Sequence, residues 1–318
     1  MMATARSQQS TCNLVFDSTF ELKCLETEAG SKHCYNGFVI QEDTLLVIDS
    51  NACNLQLLIC RGDNLLHSSL RLESEPSGVC RISMTEVAVC LTGSKILIVS
   101  VKSIDDIKLV KSLNICTGFY GHSVGKLNSS DKLVFSGRKD DGKGSKLCWG
   151  IASITDGIVH STHYICRGIH SHLAIRDNTV YISCQTSGTT INHGVYAYDI
   201  CNPDTHKFLY RHQELKAPGS ITVGRDSIFV CDLGSDRIHQ LTDSGHLVTI
   251  HTVYSRPHQI LYDDQHGVLY TTSYDRYRSN LITVYRLEYL NQPGAWTRNT
   301  SDSSDSRMQC PYNYGKPI

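Results

Sequence analysis

The sequence predicts an all-β fold, a six-bladed β-propeller with four-stranded antiparallel blades. Strand-like runs bounded by short polar turns fill the chain, and no stretch sustains helical periodicity. One pattern, an apolar strand, a polar turn and a second apolar strand, recurs six times at intervals of about 40–50 residues. That interval is the usual length of one propeller blade.

The six copies of this paired-strand unit share an apolar residue in the middle of their first strand. The copies begin at Tyr35, Pro76, Gly121, His170, Pro218 and Pro257. Their equivalent apolar residues are Phe38, Val79, Val124, Leu173, Ile221 and Ile260. A second hairpin-like pair of strands follows each of the first five copies, for example around the turn at Ser244 and Gly245. Each copy therefore predicts one blade.

The sixth copy indicates how the ring closes. It is followed by only one more strand-like segment, residues 280–290, while an unassigned strand lies at the other end of the chain, residues 13–25. Pairing these two segments would complete the last blade and leave no broken edge. We therefore expect a propeller over residues 13–290, closed by its N-terminal strand, with residues 1–12 and 291–318 disordered.

Composition and charge argue against several function classes. The chain has 318 residues, 30 basic and 31 acidic side chains and a formal net charge of -1, which indicates no nucleic-acid or anionic-membrane surface. The first residues lack the apolar core of a secretory signal, and the longest apolar run, residues 96–101, is too short to span a bilayer. We expect a cytoplasmic protein with no membrane partner.

The chain has 14 cysteines, but none are arranged as a CxxC pair. A zinc module would need closely paired ligands, and a disulfide framework belongs to secreted proteins. The cysteines instead occur singly in strand-like runs, so we expect small, buried, free thiols.

The best-kept unit, residues 228–248, resembles the NHL repeat. It has a β-run ending in Asp232, a short loop, Arg237-Ile238 and a turn with glycine, and Asp49 is the equivalent of Asp232 in the first copy. The order of units is similar to that of the C-terminal propeller of tripartite-motif (TRIM-like) proteins of molluscs and other invertebrates. Neither Trp149 nor Trp296 is followed by Asp, so the tryptophan-aspartate signature is absent. The resemblance implies an NHL- or YVTN-like propeller.

In that family an N-terminal RING carries ubiquitin-ligase activity, and the propeller recognises a protein substrate or, in some members, RNA. This chain has no RING, B-box or coiled-coil heptads, so only the recognition role carries over. The resemblance implies a module that is not an enzyme and binds a protein on one propeller face, as a substrate-recognition or adaptor component of the ubiquitin pathway. It implies no cofactor.

Tyrosine and arginine dominate the energetics of protein interfaces, so we expect loop residues of these types to contact a partner. The predicted contact residues are Tyr274, Arg276, Tyr277, Arg278, Arg138 and His258. Residues 138–146 and 274–278 are also the basic stretches that would suit RNA, although aspartates half-neutralise the first of them. RNA binding therefore remains open as an alternative.

Three histidines, His122, His172 and His258, begin the first strands of three different copies. If the three imidazoles converged on the ring axis they could ligate zinc, and a metal-dependent lyase or hydrolase using the channel would become the alternative. The other interpretation is that they line the channel as polar residues and the ring holds them apart. The cluster of His160, His163, His170 and His172 is attributed to chance. Asp49 and Asp232 are expected to accept backbone hydrogen bonds in the adjacent loops.

Overall fold

The computed structural model describes residues 12–21, 35–41, 44–61, 64–128, 130–140, 142, 145–186, 193–253, 256–264, 266–273 and 281–289. These residues form 24 β-strands, and no helix occurs among them. It follows that no helix in the described ranges is long and apolar enough to cross a membrane.

The strands group into six sheets of four, which we number as blades in chain order. The first strand, β1, spans Cys12–Glu21. Blade 1 contains β2 (Tyr35–Gln41), β3 (Thr44–Asp49), β4 (Asn54–Arg61) and β5 (Asn64–Arg71). Blade 2 contains β6 (Pro76–Arg81), β7 (Glu86–Leu91), β8 (Lys95–Ser103) and β9 (Asp106–Asn114). Blade 3 contains β10 (Phe119–Lys126), β11 (Lys132–Asp140), β12 (Ser145–Ser153) and β13 (Val159–Arg167).

Blade 4 contains β14 (His170–Arg176), β15 (Thr179–Gln185), β16 (Gly194–Asp199) and β17 (Asn202–Tyr210). Blade 5 contains β18 (Pro218–Val223), β19 (Ile228–Asp232), β20 (Arg237–Leu241) and β21 (Leu247–Thr252). Blade 6 contains β22 (Pro257–Asp263), β23 (Val268–Ser273) and β24 (Leu281–Tyr289), with β1 as its outermost strand.

The inner strands close a ring around the central axis. Each inner strand contacts the inner strand of the next blade, and β22 of blade 6 contacts β2 of blade 1. On the rim, β1 pairs antiparallel with β24, with Cys12 opposite Tyr289 and Glu21 opposite Leu281. Six four-stranded blades and closure by the N-terminal strand are thus confirmed. The expected disorder of residues 1–12 and 291–318 stays a prediction, because all but Cys12 of these residues lie outside the described ranges.

The core consists of apolar clusters between successive blades, because each sheet buries both of its faces against its neighbours. Between blades 3 and 4, for example, the fully buried Trp149 packs with Tyr198 at a ring-centroid distance of 5.2 Å. Of the predicted equivalent residues, the following are buried in these clusters: Val124, Leu173, Ile221 and Ile260. Val79 is partly buried, and the Phe38 side chain lies outside what the structure describes.

Nine cysteines whose side chains the structure describes are free thiols, and four of them, Cys90, Cys166, Cys184 and Cys231, are buried. Burial raises the pKa of the Cys90 thiol to about 12, so this side chain behaves as a small apolar group. The prediction of buried free thiols is confirmed for these positions.

Asp232 anchors the loops of blade 5 from a fully buried position. Its carboxylate accepts hydrogen bonds from the backbone N–H groups of Ala217 at 2.7 Å and Gly234 at 3.1 Å, and from the Ser235 hydroxyl at 2.6 Å. Asp49 does the same in blade 1, where it accepts the N–H of Ala52 at 3.2 Å. The predicted structural role of both aspartates is confirmed.

Candidate functional site

A central channel runs between the inner strands. We call the face where these strands begin the upper face, and the face where they end the lower face. The channel encloses a cavity of about 320 Å³ lined by the inner strands of blades 2 to 6. Its wall carries polar residues towards the upper face and a mixture of small, apolar and polar residues below. The first group includes Ser123, His172, Ser220 and Gln259, and the second includes Gly125, Ala174, Leu261, Lys126 and Thr222.

A β-bulge in blade 3 shapes the upper face beside this channel. Gly121 pairs with Gly137 and Ser123 pairs with Ser136, so His122 is an extra residue in β10. Such a bulge bends the strand and re-aims a side chain. The imidazole of His122 reaches blade 4, where its Nδ1 accepts the backbone N–H of Ser171 at 3.2 Å. Because Nδ1 is the acceptor, Nε2 carries the ring hydrogen.

Gly121 is required for the close approach of blades 2 and 3 at this bulge. A Cβ atom added there would lie 2.7 Å from the carbonyl oxygen of Leu91 and would collide with Sγ of Cys90. Replacing Gly121 by alanine is therefore expected to lower the free energy of unfolding by about 2–3 kcal/mol through overpacking. Urea denaturation measures this change. Gly142 has open space around it, so Gly142→Ala tests only its backbone conformation, at φ 75°. A loss for Gly121→Ala no larger than that of Gly142→Ala would contradict the close approach.

Arg138 and Tyr120 form the exposed part of the upper face of blade 3. They are a cross-strand pair of β10 and β11, and the guanidinium lies 4.9 Å from the centroid of the Tyr120 ring. Tyr120 is 42% exposed. The Nε of Arg138 is buried and has no hydrogen-bond partner among the described residues, and Oδ1 of Asp140 lies 3.5 Å from it. Stacking on Tyr120 thus holds the guanidinium of Arg138 in place, and its Nε–H makes no hydrogen bond to the described residues.

The imidazole of His170, the first residue of β14, lies beside that of His122, with ring centroids 5.1 Å apart. Burial, the neighbouring His170 and the charge of Arg138 together lower the pKa of His122 to about 3. Burial and Arg138 also lower the pKa of His170. The four groups Tyr120, His122, Arg138 and His170 form one unit, which we call the blade 3–4 cleft.

The three histidines that the sequence places at strand starts, His122, His172 and His258, are close enough for His122 and His258 to affect the pKa of His172. Burial lowers the pKa of His172 well below its ordinary value, and His170, His258 and His122 lower it further. Among the described residues, no group of three His, Cys, Asp or Glu side chains is placed so that it could hold a metal ion.

Sequence reasoning missed Tyr120 and His170 as site residues. His170 was grouped with His160, His163 and His172, but the group divides between two blades. His163, on the rim strand β13, packs against Trp149 at 4.9 Å and pairs with Asp204 at 3.5 Å. The signal that separates them is the start of the fourth copy at His170, which places His170 and His172 on an inner strand.

Arg138 and His258, both predicted contact residues, lie on the upper face, near the end of β11 and the start of β22. The other four predicted contact residues, Tyr274, Arg276, Tyr277 and Arg278, lie outside the described residues, and their role stays a prediction.

The lowered pKa of His122 predicts that acid destabilises the fold. Well above pH 6.5 the ring is neutral in both the folded and the unfolded chain, so its titration does not reduce the free energy of unfolding. As the pH falls from 6.5 towards 3, the unfolded chain takes up a proton that the folded chain does not, so the free energy of unfolding falls. His122→Asn keeps an acceptor for Ser171 and cannot titrate. We expect a shallower loss of stability in this variant, measured by urea denaturation across this pH range. Parallel curves for the two proteins would show that His122 does not titrate in this way.

The six four-stranded sheets define the protein as a six-bladed β-propeller. No family model matches the sequence, and no curated protein matches it. The likeness to tripartite-motif proteins therefore has no support from these two comparisons.

Solved structures do match. A luciferin-regenerating enzyme superposes with a TM-score of 0.60 at 15% identity, covering 86% of this chain and 96% of its own. A calcium-binding regucalcin from Agrobacterium tumefaciens strain C58 gives 0.61 at 9% identity, covering 82% and 95%. The Pan2 WD40 domain of Neurospora crassa gives 0.55 at 8% identity, covering 88% and 96%. At these identities the likeness establishes the fold alone, and the similar structures include both an enzyme and a WD40 domain.

Proposed function

We propose that this chain is a non-catalytic recognition module that binds a protein partner on its upper face, at the blade 3–4 cleft. The observation that carries the proposal is the stack of Arg138 on the exposed Tyr120. Tyrosine and arginine are the residues that most often dominate interface energetics, and here each holds the other in a fixed orientation. Propellers commonly bind ligands on the loop-bearing face around the channel.

The chemistry of the cleft favours binding over catalysis. Ser171 Oγ lies 3.3 Å from Nδ1 of His122, which resembles a nucleophile beside its base. Ser171 is, however, fully buried, so its hydroxyl cannot meet a substrate. The same Nδ1 is also occupied by the Ser171 backbone N–H. This pair therefore serves to dock blade 3 on blade 4.

The resemblance of residues 228–248 to the NHL repeat supports a finer form of the proposal, an adaptor role beside TRIM-type ubiquitin ligases in the cytoplasm. In that role the upper face would select the substrate protein. Co-precipitation of ubiquitin-conjugated proteins with the purified chain tests this role, and their absence from the captured proteins would contradict it.

Quantitative affinity capture tests the proposed surface. The wild-type chain is compared with Tyr120→Ala/Arg138→Ala and with a matched lower-face variant, Met84→Ala/Lys132→Ala, in which an exposed apolar residue and an exposed lysine are removed. We expect the first variant to lose its partner by about tenfold or more, as for loss of a hot spot, and the second to retain it. Equal capture by all three proteins, with unchanged melting temperatures, would show that the upper cleft is not the binding surface.

A further inference from the structure

The guanidinium of Arg138 has hydrogen-bonding capacity that the described protein residues do not use. Its Nε is buried without a hydrogen-bond partner, which is a costly state for a charged donor. The ion pair with Asp140 does not remedy this, because the 3.5 Å separation is longer than a good charge-assisted hydrogen bond. Oδ1 of Asp140 also accepts the Ser145 hydroxyl at 2.7 Å.

His122 supplies a second, uncharged donor in the same place. Its Nδ1 is occupied by Ser171, so Nε2–H is the donor that the ring can offer to a ligand. The charge of Arg138 acts on both His122 and His170 and lowers the pKa of each, as burial does. No carboxylate contributes to the shift of either ring. The cleft thus presents the Arg138 cation beside two imidazoles whose neutral form is favoured, with Asp140 as a counter-ion at 3.5 Å.

We infer that the blade 3–4 cleft binds the side-chain carboxylate of an Asp or Glu residue in its protein partner. This inference rests on the proposed function and names the chemistry of the partner. A guanidinium fork matches a carboxylate in a bidentate geometry. Because Nε is buried while the side chain as a whole is 31% exposed, the terminal groups Nη1 and Nη2 form the fork that a partner can reach. The Tyr120 ring beside the fork provides an apolar wall for the residue next to the acidic one.

The arrangement of the aromatic and basic groups favours a carboxylate over an RNA strand. RNA binding needs a row of cations along a groove, with aromatic faces on which bases can stack. Lys139, Lys146 and Arg167 are cross-strand neighbours at the upper end of blade 3, but one face of Tyr120 is already covered by the Arg138 guanidinium. Arg138 remains reachable from solvent, since its side chain is 31% exposed.

The probe is a library of short random peptides displayed on phage and selected against the full chain. We expect the selected peptides to share one acidic position. Replacing that Glu by Gln, or Arg138 by Gln, is expected to weaken binding by about tenfold or more, and the two changes together should cost little more than either alone. Arg237→Gln is the matched control, because Arg237 already pairs with Glu214, and it should leave binding unchanged.

The outcomes separate this inference from the proposed function. Peptides that need Tyr120 but show no acidic position, or that ignore Arg138→Gln, overturn the carboxylate inference and leave the proposed function standing. Selected peptides that are insensitive to both Tyr120→Ala and Arg138→Gln overturn both proposals. A short single-stranded oligouridine is tested in parallel. If it binds in an Arg138-dependent and steeply salt-dependent manner while no peptide is selected, RNA is the ligand and both proposals fail.

Discussion

Replacing Asp232 by alanine is expected to lower the free energy of unfolding by about 3–5 kcal/mol, because several donors lose one buried acceptor at once. The carboxylate is 0% exposed and joins the loop before β18 to the loop after β19. Besides Ala217, Gly234 and Ser235, it accepts the backbone N–H of Lys216 at 3.1 Å. Alanine would leave these N–H groups without an acceptor in a partly buried setting.

Two variants control for this interpretation. Asp232→Asn keeps one acceptor oxygen but turns an N–H₂ group towards two donors, so it should cost less than alanine and more than a surface change. Asp226→Ala lies in an exposed turn of the same blade and should change stability by no more than about 0.5 kcal/mol. Urea denaturation of the three variants measures these differences. If Asp232→Ala proved as mild as Asp226→Ala, the loop network would not be what holds the upper face of blade 5.

Deleting residues 1–21 is expected to lower the melting temperature by about 10 °C or more, because it removes the strand that completes blade 6. The lost ladder extends from Cys12 opposite Tyr289 to Glu21 opposite Leu281. Leu14 also packs against the apolar cluster between blades 5 and 6, and Asp17 pairs with Arg286 at 2.9 Å. The exposed edge of β24 should in addition promote association between molecules.

Deletion of residues 1–11 alone is the matched control, since it leaves β1 intact, and it should not change the melting temperature. Adding a synthetic peptide of residues 12–21 to the longer deletion should restore part of the lost stability. Differential scanning calorimetry follows both effects. Equal melting temperatures for the two deletions would mean that β1 does not close the ring.

The blades were predictable because their signal is local and repeated. Each inner pair of strands alternates around a buried residue such as Val124 or Leu173, and the repeat interval fixes the number of blades. The role of Asp232 was also predictable, since an acidic residue at the end of a buried strand has backbone N–H groups within reach.

The cleft was not predictable from the sequence. Its residues come from two blades, and their proximity depends on a cross-strand register that cannot be read from residue spacing. Arg138 could be selected as an interface residue by type. Its partner Tyr120 is identified only by the cross-strand register of β10 and β11, and that register includes a bulge at His122. The contact of His122 with Ser171 joins two blades, and no spacing in the chain indicates it.

The central claim is that a protein partner binds the upper face at the blade 3–4 cleft. Site-specific photo-cross-linking tests it most directly, with a benzophenone side chain placed in turn at Thr117, in the loop that precedes Tyr120 on the upper face, at Met84 on the lower face and at Val110 on the rim. All three residues are exposed, so accessibility does not bias the comparison, and Tyr120 stays in place. The proposal predicts that the partner cross-links from Thr117 and not from Met84 or Val110. Cross-links from Met84 or Val110, with none from Thr117, would contradict it.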